Sequence, residues 1–332
     1  MSKKHRKPNE GNLSLRPVHK AAPKVVSPEE LERLPVTYQE IYDYFSQSPD
    51  TSPFPLRQET YRRIEKLTGV PLICYITKTT NLPPNTPAYI DDSDLTGFGD
   101  LLHLVEGKSI DIVVISNGGS AETTERIVHL LRERFEKIRF ILPANAYSAA
   151  TLMCFAGDEI IMDSLSTLGP IDPQINGIPV RAILRSFERL EQRLKDEGPQ
   201  GITAYLPLLQ KYDLHILEIC RSAEELAVEL AGSWLAQYML KGNPGIGEIV
   251  NYFASYDINK SHARGVTRQI ARKVGLNIVN AEDIPGLADL IRSLRSQYDI
   301  FFDKTPFYKL YEDARGTNWG RQFVMVPASR PK

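Results

Sequence analysis

The sequence is poor in the residues that hold small secreted domains or metal sites together. Its 332 residues include only three cysteines, Cys74, Cys154 and Cys220, which lie far apart and fit no CxxC or zinc-ligand spacing. Each cysteine lies in an apolar stretch, so we expect it to pack as a small hydrophobic side chain. A disulfide framework and a structural zinc are therefore not expected, and a reducing, cytoplasmic environment is predicted.

The sequence also lacks a hydrophobic run that is long and uniform enough to indicate a membrane span. The stretch most like one, eighteen uncharged residues from Phe140 to Gly157, is interrupted by Pro143, Asn145 and Ser148. A spanning helix needs about twenty mainly apolar residues. We interpret this stretch as a buried strand, a turn and a buried helix. The N-terminus does not show the apolar core of a secretory signal either.

An excess of charge of one sign is confined to the N-terminus. Residues 1–24 carry seven basic side chains and one acidic side chain, a net charge of +6, whereas the remaining chain carries 33 basic and 40 acidic residues, a net charge of -7. The whole chain has a formal net charge of -1. A basic, proline-containing tail buries too little apolar surface to fold by itself. We therefore predict a solvated tail over residues 1–26. No nucleic-acid partner is expected for a chain so nearly neutral.

What the sequence does contain is an alternation of short apolar strands and longer helices. With 42% apolar residues, the chain has enough material for a large core. The pattern predicts strands at 71–77, 111–116, 139–143 and 159–162 and helices at 92–104, 122–135 and 149–156. Strands of this kind are buried on both faces of a parallel sheet. The fold class is therefore predicted to be α/β with a parallel sheet.

The same patterns divide the chain into four segments. The basic tail is followed by a helical extension over 27–68, which a capping-box pattern opens at Ser27-Pro28-Glu29-Glu30. The main domain is predicted over 69–300, with long charged helices at 180–197 and 204–240. An aromatic segment covers 301–332, and packing in the core is favoured for it over closure of a groove or of a neighbouring subunit.

Paired glycines follow the second predicted strand, in Asn117-Gly118-Gly119-Ser120. Glycines at the carboxyl end of a parallel strand permit backbone conformations that are closed to other residues, and they let an N–H approach a ligand. No phosphate-binding pattern such as GxGxxG surrounds them, so a nucleotide loop is excluded. The pair is either one side of a binding site or a tight strand-to-helix turn.

A serine follows the next predicted strand at the matching position. Ser148 opens a helix and is flanked by small residues, and the N–H groups at a helix start stabilise a nearby anion. Because adjacent strand ends lie together, the N–H groups of Gly119 and Ala149 are expected to point at one oxygen, as an oxyanion hole requires. The alternative is an ordinary N-cap serine.

Four blocks occur in order along the chain: IDIVVISNGG at 110–119, AYSAAT at 146–151, GDEIIM at 157–162 and LGPIDPQ at 168–174. Together they resemble the serine dehydrogenase proteinase family, which is similar to signal peptide peptidase A and to the Clp protease proteolytic subunit. The resemblance covers about residues 70–280. It departs from the family at Ser116-Asn117, where Thr-Pro is usual, and at Ala150, where glycine is frequent, but neither change removes a backbone N–H.

The resemblance implies a crotonase-like α/β fold of the Clp and signal peptide peptidase A type, preceded here by the N-terminal helical extension. It implies a soluble serine endopeptidase whose nucleophile is Ser148 and whose oxyanion or substrate contacts come from Gly118, Gly119 and Ala149. It also implies a homo-oligomer that acts on polypeptides and needs no metal, nucleotide or organic cofactor.

A serine nucleophile needs a base that accepts its proton. The Clp peptidases have a histidine downstream of the serine, but the corresponding stretch here reads Ile171-Asp172-Pro173. A Ser-Lys dyad, as in signal peptide peptidase A, is therefore expected, since desolvation lowers the pKa of a lysine. Lys211 is preferred because it resembles a lysine on a long helix of the family. Lys195 is the second choice.

Three further residues are candidates for the same site. His215 lies one helical turn beyond Lys211. Asp172 is expected to orient the base or to bind a substrate amide, and His262 precedes a segment that resembles the last core element of the family. Each has a structural alternative, which is a solvated helix face for the lysines and His215, a turn aspartate for Asp172 and a surface histidine for His262.

Two other functions are left open. An acyl-CoA enzyme of the crotonase type would use the same two N–H groups to stabilise a thioester enolate without a nucleophile, so its activity would survive loss of the Ser148 hydroxyl. A non-catalytic oligomeric scaffold would keep the fold but lack the base. The blocks at 146–151 and 168–174 favour the peptidase.

Overall fold

A computed structural model of the chain describes residues 34–47, 52–175, 177–198, 205–209, 215–255, 261 and 264–323. The basic tail and the capping box at Ser27 lie outside these residues, as do Lys211 and His262. None of the helices in the described segments has the length and apolarity that a bilayer crossing demands.

Helices account for most of the described chain outside its core strands. They are α1 (Tyr38–Gln47), α2 (Phe54–Thr68), α3 (Asp94–His103), α4 (Ala121–Arg134), α5 (Ala149–Phe155), α6 (Val180–Glu197), α7 (Leu206–Leu209), α8 (His215–Gln237), α9 (Ile246–Ala254), α10 (Arg268–Val274) and α11 (Leu287–Lys304). A short 3-10 helix, Ala281–Asp283, precedes α11.

The strands are of two kinds, core strands and short pairs at the site. They are β1 (Leu72–Thr77), β2 (Ser109–Ile115), β3 (Lys137–Leu142), β4 (Asn145–Ala146), β5 (Glu159–Met162), β6 (Thr167–Leu168), β7 (Gln174–Ile175), β8 (Ile178–Pro179), β9 (Val266–Thr267), β10 (Ile278–Asn280), β11 (Phe307–Asp313) and β12 (Asn318–Gln322).

The centre of the fold is a seven-stranded sheet in the order β10-β5-β3-β2-β1-β11-β12. The first five strands are parallel, and β11 and β12 are added antiparallel beside β1. The four strands predicted from the sequence begin and end within two residues of the observed positions. The predicted α/β class with a parallel sheet is confirmed.

The core strands are buried on both faces because their alternate side chains enter two different cores. Ile112 and Val114 of β2 pack into the core that includes α3, α4 and α5, whereas Val113 and Ile115 pack into the core formed with α2 and α11. Burial of one such side chain stabilises the fold by about 1.5–3 kcal/mol. This two-sided burial explains why β2 is a nearly unbroken β-branched run.

The aromatic C-terminal segment is part of the sheet. Tyr311 of β11 stacks on Trp319 of β12, with 4.4 Å between the ring centroids, and its ring also lies 5.7 Å from that of Tyr75 on β1. The same strand carries the fully buried charged residues Lys309 and Glu312. The segment therefore protects the β1 edge of the sheet, and its buried charges have partners on other elements, described below.

A second, small sheet lies at the carboxyl end of the main one. In it β4 pairs in parallel with β6, and β6 pairs antiparallel with β9. Because β4 leads directly into the turn before α5, this sheet brings the segment 167–169 against that turn.

Candidate active site

The turns that follow β2 and β3 lie side by side. The Ser116 N–H donates to the Asn145 carbonyl at 3.0 Å, and the Tyr147 N–H donates to the Ser116 carbonyl at 2.9 Å. These bonds pair Ser116 in parallel with Ala146. A side-chain bond from Asn145 Nδ2 to Asn117 Oδ1, 2.8 Å long, strengthens the link. The structure thus brings together the diglycine bend, residues 117–120, and the serine turn, residues 146–149.

Gly118 touches the serine turn directly. A Cβ atom added to Gly118 would lie 2.5 Å from the Tyr147 carbonyl oxygen, 2.7 Å from Ser148 Cβ and 2.9 Å from the Ala149 nitrogen. Real atoms overlap at these distances. The φ of Gly118 is also +93°, in the region that favours glycine. This position therefore accepts no side chain.

Gly119 is held from its other side by the segment that precedes α3. The Ile90 N–H donates to the Gly118 carbonyl at 2.7 Å, and the Ser120 N–H donates to the Ile90 carbonyl at 2.9 Å. A Cβ atom on Gly119 would lie 2.3 Å from both the nitrogen and the oxygen of Ile90. In this parallel bridge the hydrogen bonds to Ile90 are made by Gly118 and Ser120, the residues on either side of Gly119. The N–H of Gly119 therefore points away from Ile90.

The backbone of Ser148 has a conformation that serine rarely adopts. Its φ is 51° and its ψ is -122°, which costs about 1–3 kcal/mol for a residue other than glycine. A serine nucleophile at a strained strand-to-helix turn has an exposed hydroxyl for this reason. The Ser148 side chain makes no capping bond to α5, whereas Ser120 caps α4 by accepting from the Thr123 N–H at 2.9 Å. Ser148 is therefore not an N-cap in the ordinary sense.

The N–H groups of Gly119 and Ala149 have no acceptor among the residues that the structure describes, and the same holds for those of Asn117 and Ser148. By contrast, the Gly118 N–H donates to Ser116 Oγ at 3.1 Å and the Ala150 N–H donates to the Tyr147 carbonyl at 2.9 Å. The absence of a side chain at Gly118 thus lets the two turns approach each other closely, while the Gly118 N–H is bonded within its own turn.

The LGPIDPQ block lies against the serine turn. The Gly169 N–H donates to the Ala146 carbonyl at 3.0 Å, and Thr151 Oγ1 of α5 donates to the Gly169 carbonyl at 3.0 Å. A Cβ atom on Gly169 would lie 2.7 Å from the Tyr147 ring. Asp172, three residues further on, is only 2% exposed. The block therefore fixes the residue that precedes Ser148.

The two candidate bases that the structure describes lie on helix surfaces. Lys195, in the last turn of α6, has a side chain that is 65% exposed and an ammonium 2.8 Å from Glu191, four residues earlier. A hydrogen bond from Lys195 and its positive charge lower the pKa of Glu191. His215 is an exposed residue at the start of α8. The preferred base, Lys211, is outside the described residues, as is His262.

Other features of the site were not predicted from the sequence. No local pattern marks Ile90 as a neighbour of the diglycine bend, and only its pairing with Gly119 reveals it. Asn145 lies just before the recognised AYSAAT block, and its side-chain bond to Asn117 follows from the parallel pairing of the two turns. Within the described part of the chain, no group of three or more His, Cys, Asp or Glu side chains is arranged to hold a metal.

Both turns lie within a segment that matches a known protein family. Residues 60–200 match the family model described as ClpP-like SDH-type serine proteinase. The matched segment is less than half of the chain, and over it the chain is similar to this family. The match includes the diglycine bend, Ser148 and the LGPIDPQ block.

Three individual proteins illustrate how far this similarity extends. An uncharacterized protein of Methanocaldococcus jannaschii is 29% identical over 200 residues, which are 55% of this chain and 67% of the relative. A second uncharacterized protein of that organism is 35% identical over 82 residues, 25% of this chain and 29% of the relative. The chain thus spans two thirds of the first relative and less than a third of the second. Among solved structures, a point mutant of ClpP1 from Listeria monocytogenes has 14% identity and a TM-score of 0.33, covering 67% of this chain and 98% of that one.

The Asn145–Asn117 bond gives a first testable prediction for the paired turns. We expect Asn145→Ala to lower the free energy of unfolding by about 0.5–1.5 kcal/mol and to speed amide exchange in the peptide that contains 116–120, because one of the bonds between the two turns is lost. Asn277→Ala is the control, since it removes a bond of similar length, 2.9 Å from Asn277 Nδ2 to the Asp158 carbonyl, near β5 and β10. Equal exchange at 116–120 in both variants would contradict this role of Asn145.

Proposed function

We propose that this protein is a serine peptidase that cleaves polypeptides through an acyl-enzyme on Ser148. The observation that carries the proposal is the strained backbone of Ser148, whose side chain caps no helix, in a turn that pairs with the diglycine bend. The N–H groups of Gly119 and Ala149 in these turns have no acceptor among the residues that the structure describes. A helix N-cap needs no such strain. A nucleophile needs both a free hydroxyl and donors for the oxyanion.

In the proposed reaction Ser148 Oγ attacks the carbonyl carbon of a peptide bond. The hydroxyl proton passes to a general base, and the carbonyl oxygen becomes an oxyanion that accepts hydrogen bonds from Gly119 and Ala149. The tetrahedral intermediate collapses, the C–N bond breaks, and the base returns the proton to the leaving amine. Water then attacks the ester and restores the serine. Loss of one oxyanion donor typically lowers kcat about 10²–10³-fold.

The base that we propose is a lysine, with Lys211 preferred. A base has to contact the serine hydroxyl, whereas the ammonium of Lys195 is engaged with Glu191 on an exposed helix surface. That arrangement favours Lys211 over Lys195. For Asp172, a buried residue of the LGPIDPQ block that lies against the serine turn, we propose a positioning role. His215 at the start of α8 remains a candidate partner of Lys211. Assembly into a homo-oligomer belongs to the proposal on the family resemblance alone, and a cytoplasmic location belongs to it on the three dispersed cysteines.

A covalent probe tests the nucleophile and the base together. We expect a fluorophosphonate to form an adduct on Ser148 in the wild type, mapped by mass spectrometry, because the reaction needs an activated hydroxyl. Labelling should be lost in Lys211→Ala and kept in Lys195→Ala, which serves as the matched control. An unlabelled Ser148 in the wild type would refute the peptidase, and labelling that persists in both lysine variants would refute the Ser-Lys dyad alone.

A further inference from the structure

A buried charge cluster lies behind the diglycine bend. The Lys309 side chain on β11 is fully buried, and its ammonium donates to the two carboxylate oxygens of Asp94 at 3.0 and 2.9 Å and to Asp91 at 3.1 Å. Asp94, which is also fully buried, accepts from the Tyr75 hydroxyl at 3.1 Å and from the Tyr311 hydroxyl. The cluster joins β1, β11 and the start of α3.

A buried ion cluster of this kind is expected to add little to the free energy of folding. Transfer of an ammonium and a carboxylate from water into a protein interior costs several kcal/mol per ion, and well-packed apolar residues of similar volume often give an equally stable fold. A buried pair with several directed bonds does, however, restrict the geometry of the groups it joins. The relevant property of the cluster is therefore the backbone that it holds in place.

The backbone that the cluster restrains is the segment 90–94, which contacts the diglycine bend through Ile90. The Asp91 N–H donates to Asp94 Oδ2 at 2.8 Å, and the Asp94 N–H donates to the Asp91 carbonyl at 2.8 Å. Burial opposes the charged form of Asp91, but bonds from Ser93 and the ammonium of Lys309 outweigh it and lower the pKa of Asp91. Ile90, the residue before Asp91, makes the two bonds on either side of Gly119.

We propose that Lys309 is a positioning residue for the oxyanion hole. Through Asp91 and Asp94 it fixes the segment at Ile90, and this segment fixes the direction of the Gly119 N–H. The catalytic part of this inference rests on the proposed function, because it takes that N–H as a donor to the oxyanion. The mechanical part, in which Lys309 restrains the diglycine bend, stands on the contacts alone.

A second buried ion pair on the same strand provides a matched control. Glu312 of β11 accepts two bonds from Arg57 of α2, at 2.6 and 2.7 Å, and both side chains are as buried as those of Lys309 and Asp94. Side chains alternate along a strand, so Glu312 faces the α2 and α11 core and has no part in the chain of bonds to Gly119. Loss of this pair disturbs the sheet to a similar extent without touching the site.

The test compares two double variants that each remove one buried positive and one buried negative charge. They are Lys309→Met with Asp94→Asn, and Arg57→Met with Glu312→Gln. We expect the first to lower kcat and the rate of fluorophosphonate labelling about tenfold or more, a part of the effect of one oxyanion donor, with KM unchanged. Amide exchange at 117–120 should become faster. In the second variant kcat, labelling and that exchange should stay at wild-type values, even if the melting temperature falls.

Asp91→Asn keeps the Lys309–Asp94 pair and remains informative if the double variant does not fold. We expect it to lower kcat about threefold, since one of the bonds to the ammonium is weakened, and to speed exchange at 117–120. Equal losses of kcat in the two double variants, or wild-type kcat and exchange in Asp91→Asn, would overturn the positioning role. If Ser148 is unlabelled in the wild type, the proposed function fails, and the exchange comparison still decides whether Lys309 restrains the bend.

Discussion

Replacement of Ser148 by alanine is expected to lower peptide cleavage by at least about 10³-fold and to abolish probe labelling, while the fold stays intact. The variant lacks the attacking oxygen, so no acyl-enzyme forms. Alanine has the same backbone strain at φ 51° as serine, and the serine side chain makes no capping bond. The free energy of unfolding should therefore change by less than about 0.5 kcal/mol. Turnover, labelling and denaturant unfolding of the same preparation measure these effects.

Ser120 provides the opposite case. Its side chain accepts from the Thr123 N–H, so Ser120→Ala should destabilise the protein by about 1 kcal/mol and leave kcat within about threefold of the wild type. The two serines thus separate catalysis from capping. Full activity of Ser148→Ala would point instead to the acyl-CoA enzyme, in which the two N–H groups act without a nucleophile. Loss of activity in both variants to the same degree would contradict a special role for Ser148.

Gly118→Ala is expected to have the second-largest effect, a loss of activity of at least about 100-fold. The new methyl group would overlap the Tyr147 carbonyl, Ser148 Cβ and the Ala149 nitrogen. The two turns have to move apart to admit it, which would separate the N–H groups of Gly119 and Ala149 that we propose as the oxyanion donors. We also expect a loss of unfolding free energy of about 2–4 kcal/mol, from overlap and from strain at positive φ. Activity per folded molecule and denaturant unfolding measure the two effects.

Gly107→Ala controls for backbone strain alone. Gly107 has a φ of +97°, close to that of Gly118, but a Cβ atom there meets nothing within 4 Å. This variant should lose about 1 kcal/mol of stability and keep wild-type activity per folded molecule. If Gly118→Ala behaves in the same way as Gly107→Ala, the close contact between the bend and the serine turn has no catalytic importance.

The sequence was sufficient to predict four of the five parallel strands of the described sheet, all except β10. Both faces of the strands are buried, so β1, β2, β3 and β5 are short apolar runs in the sequence. The segments between them show apolar residues at helical spacing. That signal is local and depends on no partner in the chain. It predicted the strand bounds to within two residues.

The antiparallel addition at the β1 edge was not predicted as strands. In β11 the residues Lys309, Glu312 and Asp313 are all buried, although such residues are usually read as exposed. The burial of Lys309 and Glu312 depends on partners far away in the sequence, Asp94 for Lys309 and Arg57 for Glu312. A local pattern contains no information about those partners, so the strand could not be recognised from its own residues.

The candidate site was predicted in part. The order of strands and turns was enough to bring Gly119 and Ser148 to neighbouring strand ends. The observation that favours the proposed nucleophile over an N-cap is the φ and ψ of Ser148 together with its lack of a capping bond, which sequence does not reveal for a serine. The different uses of the Gly118 and Gly119 N–H groups also depend on hydrogen bonds that form only after the two turns pair.

The position of Lys309 in the sequence has a consequence for biosynthesis. The ribosome delivers the diglycine bend and Ser148 well before β11, so a nascent chain has the proposed nucleophile before it has the ammonium that we propose restrains the bend. Under the proposed mechanism, full peptidase activity develops only when the residues of β11 have left the ribosome and joined the sheet. On that proposal the chain is least active during translation, when its own unfolded segments are the nearest polypeptides.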